Sequence, residues 1–331
     1  MYAEHYKLSG RPFQLSPDHR FYFSSRSHSK AMAYLSYGLS EREGFIVITG
    51  DVGAGKTTLV GHLMAEIDSE RYVSANVVTT QLEADDALRM VASGFGLAFE
   101  GRDKAALLRE IERFLINNHE LGKHVVLVVD EAQNMSMSAV EELRMLSNFQ
   151  ADQKPLLQCF LLGQPQFRVI MARPEMEQLR QRVIASCHIE PLEEDETRAY
   201  IEHRLRLVGW QGDPNFTDAA FQLIHLHAGG VPRRINTLCG RLLLFGSLED
   251  LHEFDAAAVQ EVVEELSDEG TQISSVEQPR VSRAVGLPSA PLPSMPVVAL
   301  PSGPWRGAES YGEALDILEN RVVALKRGTT R

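Results

Sequence analysis

The sequence has little cysteine, and what it has is scattered. Cys159, Cys187 and Cys239 are the only three in 331 residues, and each sits among apolar neighbours. They have neither zinc-ligand spacing nor a paired framework, so a disulfide-stapled fold is excluded and the thiols read as reduced and buried in a cytoplasmic protein. No run reaches the 18 or so apolar residues that a spanning helix needs. The opening MYAEHYKLSGRPF likewise contains no apolar segment of signal-peptide length. A membrane span and a secretory leader are therefore not expected. Positive charge is also in deficit: 33 Lys and Arg against 45 Asp and Glu leave a net charge of -12. That balance disfavours diffuse attraction to nucleic acid or anionic lipid. What the chain does have is a 44% apolar content, enough to build a core over most of its length.

From residue 45 onward, short apolar runs alternate with longer stretches of helical period, which is the pattern of a parallel sheet with helices on both faces. The expected strands are FIVITG (45–50), YVSANVVT (72–79), HVVLVVD (124–130), LLQCFLLG (156–163) and SCHIEPL (186–192). Helices are expected over 57–67, 84–95, 104–119, 138–149 and, shorter, near 175–182. Ser138 and Glu141 have capping-box spacing for the fourth of these. After Pro191 the strand signal stops, and helical stretches follow near 194–208, 217–227, 232–247 and 255–266. Nine acids and no Lys or Arg lie between Glu249 and Glu269, a composition that reads as a solvated face. Seven prolines between Pro279 and Pro304 mark a segment that cannot bury enough apolar surface to order itself. The final EALDILENRVVALKR spaces Leu315, Leu318, Val322 and Leu325 as a short amphipathic helix. The expected organisation is an α/β nucleotide-binding domain over 1–192 and a small all-helical domain over 193–268. A disordered proline-rich linker over 269–309 and a short helix over 310–331 complete it.

The most informative segment is GDVGAGKTT, comprising Gly50, Asp51, Val52, Gly53, Ala54, Gly55, Lys56, Thr57 and Thr58. It fits GxxxxGK[ST], follows an expected strand and opens an expected helix, the context in which this motif binds phosphate. Glycines let the backbone wrap so that its amides and the helix N-terminus point at a β-phosphate. Lys56 would reach the β and γ phosphates, and the Thr57 hydroxyl would ligate Mg²⁺. VVLVVDEAQNMS (125–136) ends a buried strand in two acids, an arrangement that costs desolvation energy unless it is used. Asp130 is placed to hold the magnesium ion, and Glu131 to position and activate the attacking water. These are the Walker A and Walker B features of a Mg²⁺-dependent ATPase. A separate catalytic Glu beside the metal Asp favours the branch of helicases, RecA-like motors and AAA+ ATPases over kinases and GTPases.

The segment MYAEHYKLSGRPFQLSPDHRFYFSSRSHSKAMAYLSYGL, with GDVGAGKTTL, VVLVVDEAQNMS, EELRMLSNFQ, LLGQPQF and AGGVPRRINTLCGRLLL, resembles the ExeA/GspA group of AAA+ ATPases. It is close to the secretion ATPases of exosortase (XrtA) and PEP-CTERM loci, within the wider ORC-like AAA+ set. The resemblance covers residues 1 to about 268 and implies further roles. Gln164, at the tip of the strand after the acid pair, stands where the family has its sensor 1. Arg233, in GGVPRR, stands at sensor 2, with Pro232 suited to the first turn of a helix and Arg234 turned to solvent. Arg182 is the preferred candidate for an arginine finger acting on a neighbouring subunit, with Arg180 as its rival, which implies a homo-oligomer. Pro12, Phe13 and Phe23 are candidates to wrap the adenine, and His28 reads as structural.

The resemblance implies ATP hydrolysis that drives or regulates assembly of an envelope secretion or exopolysaccharide export system. The partners would be protein components of such a complex, and the protein would be cytoplasmic, reaching the inner membrane only through a partner. The alternative is a DNA-associated switch ATPase of the transposition or origin-binding type, disfavoured by the acidic balance and by the lack of a recognisable winged-helix domain. A translocating helicase, which the DEAQ spelling suggests, would need a second RecA-like domain or a ring with DNA loops.

Overall fold

A computed structural model describes residues 2–79 and 84–269. The proline-rich linker and C-terminal helix expected beyond residue 269 lie outside the described residues.

Five strands form one parallel sheet: β1 Phe45–Gly50, β2 Tyr72–Val78, β3 His124–Asp130, β4 Leu157–Gly163 and β5 Val183–Ile189, in the order β2-β3-β4-β1-β5. Every residue of β1 and β4 is buried, and all of β3 except its first residue. Unbroken apolar runs are what central parallel strands require, because helices cover both faces. At the edge, β2 buries only Ala75 and Val77, so its sequence alternates. β5 starts three residues earlier than its SCHIEPL run suggests. As the opposite edge strand it begins with half-buried Val183 and Ile184, too little burial to give a continuous apolar signal.

Helices α1 Arg26–Glu41 and α2 Lys56–Glu66 take one face of the sheet, while α3 Ala84–Gly94, α4 Lys104–Glu120, α5 Met137–Leu146 and α6 Pro165–Met171 take the other. The larger core lies on the second face, where Val47, Leu127, Val129 and Leu161 meet Leu88, Leu107, Ile111 and Leu143. On the first face α1 comes so close to β1 that a Cβ on Gly38 would sit 1.8 Å from Ile46 Cδ1. Helix α5 is capped by Ser136, whose hydroxyl accepts from Ala139 N at 3.1 Å. The box proposed for Ser138 and Glu141 does not form, because the cap falls two residues earlier, at Ser136, which leaves Ser138 inside the first turn.

After β5 come α7 Glu194–Leu207, α8 Asp218–Ala228, α9 Pro232–Leu248 and α10 Ala256–Asp268. They surround a second core of Ile201, Leu205, Ile224, Leu238, Leu242 and Val259, which Tyr6, Leu8 and Phe13 from the chain start join. Glu193 and Glu196 form the capping box of α7, and Glu196 also accepts from the Arg26 amide at 2.7 Å. The first turns of α1 and α7 are thereby tied together.

Candidate active site

The strand register brings Gly50, Asp130 and Gly163 to the same edge of the sheet, since Thr49 pairs with Gly163 and Val129 with Leu161. Loops leaving the carboxyl ends of parallel strands are where open α/β sheets bind ligands. From β1 the chain turns through Gly53 and Gly55, both left-handed at φ 82° and 92°, into α2. The amides of this turn and the start of α2 form an anion cradle. A side chain is excluded at both glycines, since a Cβ would lie 2.3 Å from Arg233 Cβ at Gly53 and 2.9 Å from His28 Nε2 at Gly55.

Lys56 is buried, and its ammonium donates to the carbonyls of Gly50 at 2.8 Å and Asp51 at 2.9 Å. Burial lowers its pKa, and Glu131, Asp130 and Asp51 oppose that shift. The Thr57 hydroxyl donates to Asp130 Oδ2 at 2.6 Å, and Asp130 Oδ1 accepts from the Glu131 amide at 2.8 Å. Two hard oxygens thus converge at the start of α2, the donor type that Mg²⁺ takes.

Glu131 has left-handed backbone, φ 56°, a conformation that costs a non-glycine residue free energy and is kept where surroundings impose it. Its Oε2 accepts from Gln133 Nε2 at 2.6 Å and from Gln164 Nε2 at 3.0 Å. Burial works to raise the Glu131 pKa, but the two amide donors and Lys56 together hold it below the ordinary carboxylate value. Gln133 Oε1 in turn accepts from the Gln164 amide at 2.9 Å, closing a loop that fixes the carboxylate between two glutamines. Underneath, the buried Thr79 hydroxyl lies 2.9 Å from Asp130 O and 2.6 Å from Glu131 O.

Arg233, in the first turn of α9, has its backbone amide 3.2 Å from Gly53 O and its side chain over that glycine. It is exposed along the cleft, whereas its neighbour Arg234, expected in solvent, is the more covered of the two. Around the cleft stand Leu15, Phe21, Tyr22, Phe23, Tyr200 and Arg204. Of the three adenine candidates only Phe23 is among them. Pro12 and Phe13 are buried instead, Phe13 in the helical core, and Pro12 O accepts from Arg204 Nε at 2.6 Å. Arg182 and Arg180 are not brought to this edge. Arg182 precedes β5 at the opposite end of the strands and donates to Ser147 Oγ at 2.9 Å. Arg180 donates to the carbonyls of Met171 and Arg173.

Residues 39–171 match the family model described as AAA domain, a range that holds β1, β3, β4, the phosphate loop and the acid pair. The chain carries the AAA fold. A longer similarity, 35% identical over 275 residues, relates the chain to General secretion pathway protein A of Aeromonas hydrophila. That match covers 82% of this chain and 50% of the relative, so the chain spans half the relative's length. The ExeA/GspA-like reading of the motifs is borne out. A shorter stretch of 91 residues, 27% of this chain and 25% of the relative, is 34% identical to Putative ORC1-type DNA replication protein 1 of Thermoplasma acidophilum. Among solved structures, the Aeropyrum pernix ORC2 protein superposes with a TM-score of 0.57 at 16% identity, over 78% of this chain and 72% of that one. At that identity the likeness is one of fold.

Three residues of this AAA site escape a reading of its motifs. Gln133 is visible as the last letter of DEAQ, but nothing in the spelling says that it folds back onto Glu131. Thr79 directly follows β2, whose last residue Val78 pairs with Asp130, and a polar residue just past a strand tip is the signal that would have found it. His28 carries its reading as structural into the site: its ring bonds Ser25 Oγ at 2.7 Å and Ala54 O at 3.0 Å, bracing the phosphate loop from α1. Burial holds the His28 pKa below its usual value, so the ring is neutral at pH 7.

Proposed function

We propose that the chain is a Mg²⁺-dependent ATPase, hydrolysing ATP to ADP and phosphate. We further propose that turnover drives or regulates assembly of an envelope secretion or exopolysaccharide export system. The observation that carries the chemistry is the convergence of Lys56, Thr57, Asp130, Glu131 and Gln164 on one edge of the sheet. Residues Gly50 to Thr58 cradle the phosphates, and Lys56 exchanges its two carbonyl partners for phosphate oxygens. Thr57 and Asp130 fit Mg²⁺, which when bound offsets charge on the phosphates. Glu131, held ionised, accepts a hydrogen bond from water and aligns it for in-line attack. Gln164, already on Glu131, senses the same region, and Arg233 on α9 reaches over the loop. Residues 193–268 thus act as a lid on 1–192. In a homo-oligomer, Arg182 serves the neighbour's site.

The secretion role rests on the likeness to General secretion pathway protein A, with no helix among the described residues long and apolar enough to cross a membrane. The protein would then act at the cytoplasmic side of the inner membrane through a partner. Pull-down from native membranes, with and without residues 270–331, tests this. Recovery of secretion or polysaccharide-export proteins supports the role, and their absence alongside intact hydrolysis removes it. The match to an ORC1-type replication protein keeps a DNA-associated switch as second reading. Salt-sensitive DNA binding that stimulates turnover by about tenfold or more would favour it.

A further inference from the structure

We propose a metal site apart from the nucleotide cleft, built by His5, Asp250 and His252 and suited to a divalent first-row transition ion such as Zn²⁺. None of these residues lines the nucleotide cleft. The three come from the first helical turn of the chain, Tyr2–His5, and from the loop between α9 and α10. One ligand atom from each lies within 4.8 Å of the others. Donors of one zinc ion stand about 3.3 to 3.5 Å apart, given bonds of about 2.0 to 2.2 Å and tetrahedral angles. The remaining ångström is within the reach of side-chain rotation, since the side chains of Asp250 and His252 are 87% and 56% exposed.

Three features point to a cation there rather than to a chance surface grouping. First, His5 Nε2 is shielded from solvent yet has no hydrogen-bond partner. Its nearest acid oxygen, Asp250 Oδ1, stands 3.8 Å away, too far for a hydrogen bond. An orphaned ring nitrogen is costly, and a metal ion would satisfy it. Second, His252 Nδ1 bonds Asp213 Oδ1 at 2.7 Å. A ligating histidine is ordinarily oriented in this way by a carboxylate on its other nitrogen, which leaves Nε2 with the lone pair. Third, the carboxylates of Asp213 and Asp250 pair only with these histidines, with no Lys or Arg within ion-pair distance among the described residues. Their negative potential is thus left for a cation. Two imidazoles and a carboxylate favour zinc-like ions over Mg²⁺ or Ca²⁺, which select all-oxygen sets. Three protein ligands leave a fourth position for water.

Such an ion would staple the chain start to the helical layer beside Tyr6, whose hydroxyl already donates to Leu251 O at 2.8 Å. The proposal is independent of the ATPase reading. It is tested on the full chain, freed of metal, with the nucleotide edge kept filled by saturating Mg²⁺ and ADP, and titrated with ZnCl₂ or CoCl₂. One equivalent of Co²⁺ should give the visible bands of a four- or five-coordinate ion. Zn²⁺ at about a hundred times its Kd should raise the Tm by about 5 °C. His5→Gln and His252→Gln should each weaken binding at least about tenfold, and Asp213→Asn by about 10- to 100-fold. Unchanged affinity in both histidine variants, or no saturable binding, would overturn the site. So would binding abolished by Asp130→Asn and untouched by His5→Gln, because the metal would then belong to the nucleotide edge.

Discussion

Replacing Gln133 with Ala tests whether the glutamine loop around Glu131 contributes to catalysis or only packs. The substitution removes the 2.6 Å donor to Glu131 Oε2 and the 2.9 Å acceptor of the Gln164 amide. A hydrogen bond to a charged group contributes about 1.5 to 3 kcal/mol and a neutral one about 1. Gln164 Nε2 still holds the carboxylate at 3.0 Å, so only part of that sum is lost from alignment of the attacking water. A loss of about 1.4 to 2.7 kcal/mol corresponds to a fall in kcat of about 10- to 100-fold. Nucleotide affinity should change by less than about threefold, because Gln133 touches neither the phosphate loop nor Lys56. The pH profile carries the sign. In the native site Glu131 is held below the ordinary carboxylate value despite its burial, so its stabilising contribution is present above the unfolded pKa. It is lost only as pH falls through the depressed folded one. Removing a donor lets burial count for more, so the acid limb of kcat/KM should move up in pH. Steady-state phosphate release across pH, with a fluorescent nucleotide titration, reads both quantities. A kcat within twofold of wild type with an unmoved acid limb would refute the reasoning, and so would an affinity loss in step with kcat.

Lys56→Ala should abolish measurable nucleotide binding by calorimetry, and normal binding would be incompatible with the cradle described. Gly53→Ala should fold but weaken nucleotide binding at least about tenfold, because left-handed backbone strains the new residue and its Cβ would displace Arg233 from 2.3 Å. Unchanged binding would show that the Arg233 contact is dispensable. Mixing inactive Arg182→Ala and Glu131→Gln subunits should restore part of the turnover if the arginine acts in trans, and no rescue across mixing ratios would count against it.

The sheet was legible because its central strands are buried on both faces, which writes an unbroken apolar run into β1, β3 and β4. The bounds of β5 and the start of α5 differ from the sequence expectation where that signal thins: an edge strand begins half-buried, and two serines compete for one cap. Helix α1 is not legible in the sequence, since its polar face and the preceding aromatic-rich segment dilute its period. The phosphate loop and acid pair announce themselves because their chemistry demands fixed residue types at fixed spacing. Residues that act on them from a distance carry no such spacing. Gln133, Thr79 and His28 reach the site by folding back across 2, 52 and 26 residues, and the chain's aromatic-rich start divides between cleft and core by tertiary packing alone. Cys159 behaves as its apolar setting suggests, with burial pushing its thiol up to about 12.

Phosphate release from ATP by wild type and Glu131→Gln, each with and without Mg²⁺, most directly tests the central claim that this strand-edge site hydrolyses ATP. Wild type should turn over only with the metal, while the variant should bind ATP yet lose at least about a hundredfold in kcat. Equal rates in the two proteins, or wild-type turnover indifferent to Mg²⁺, would contradict it.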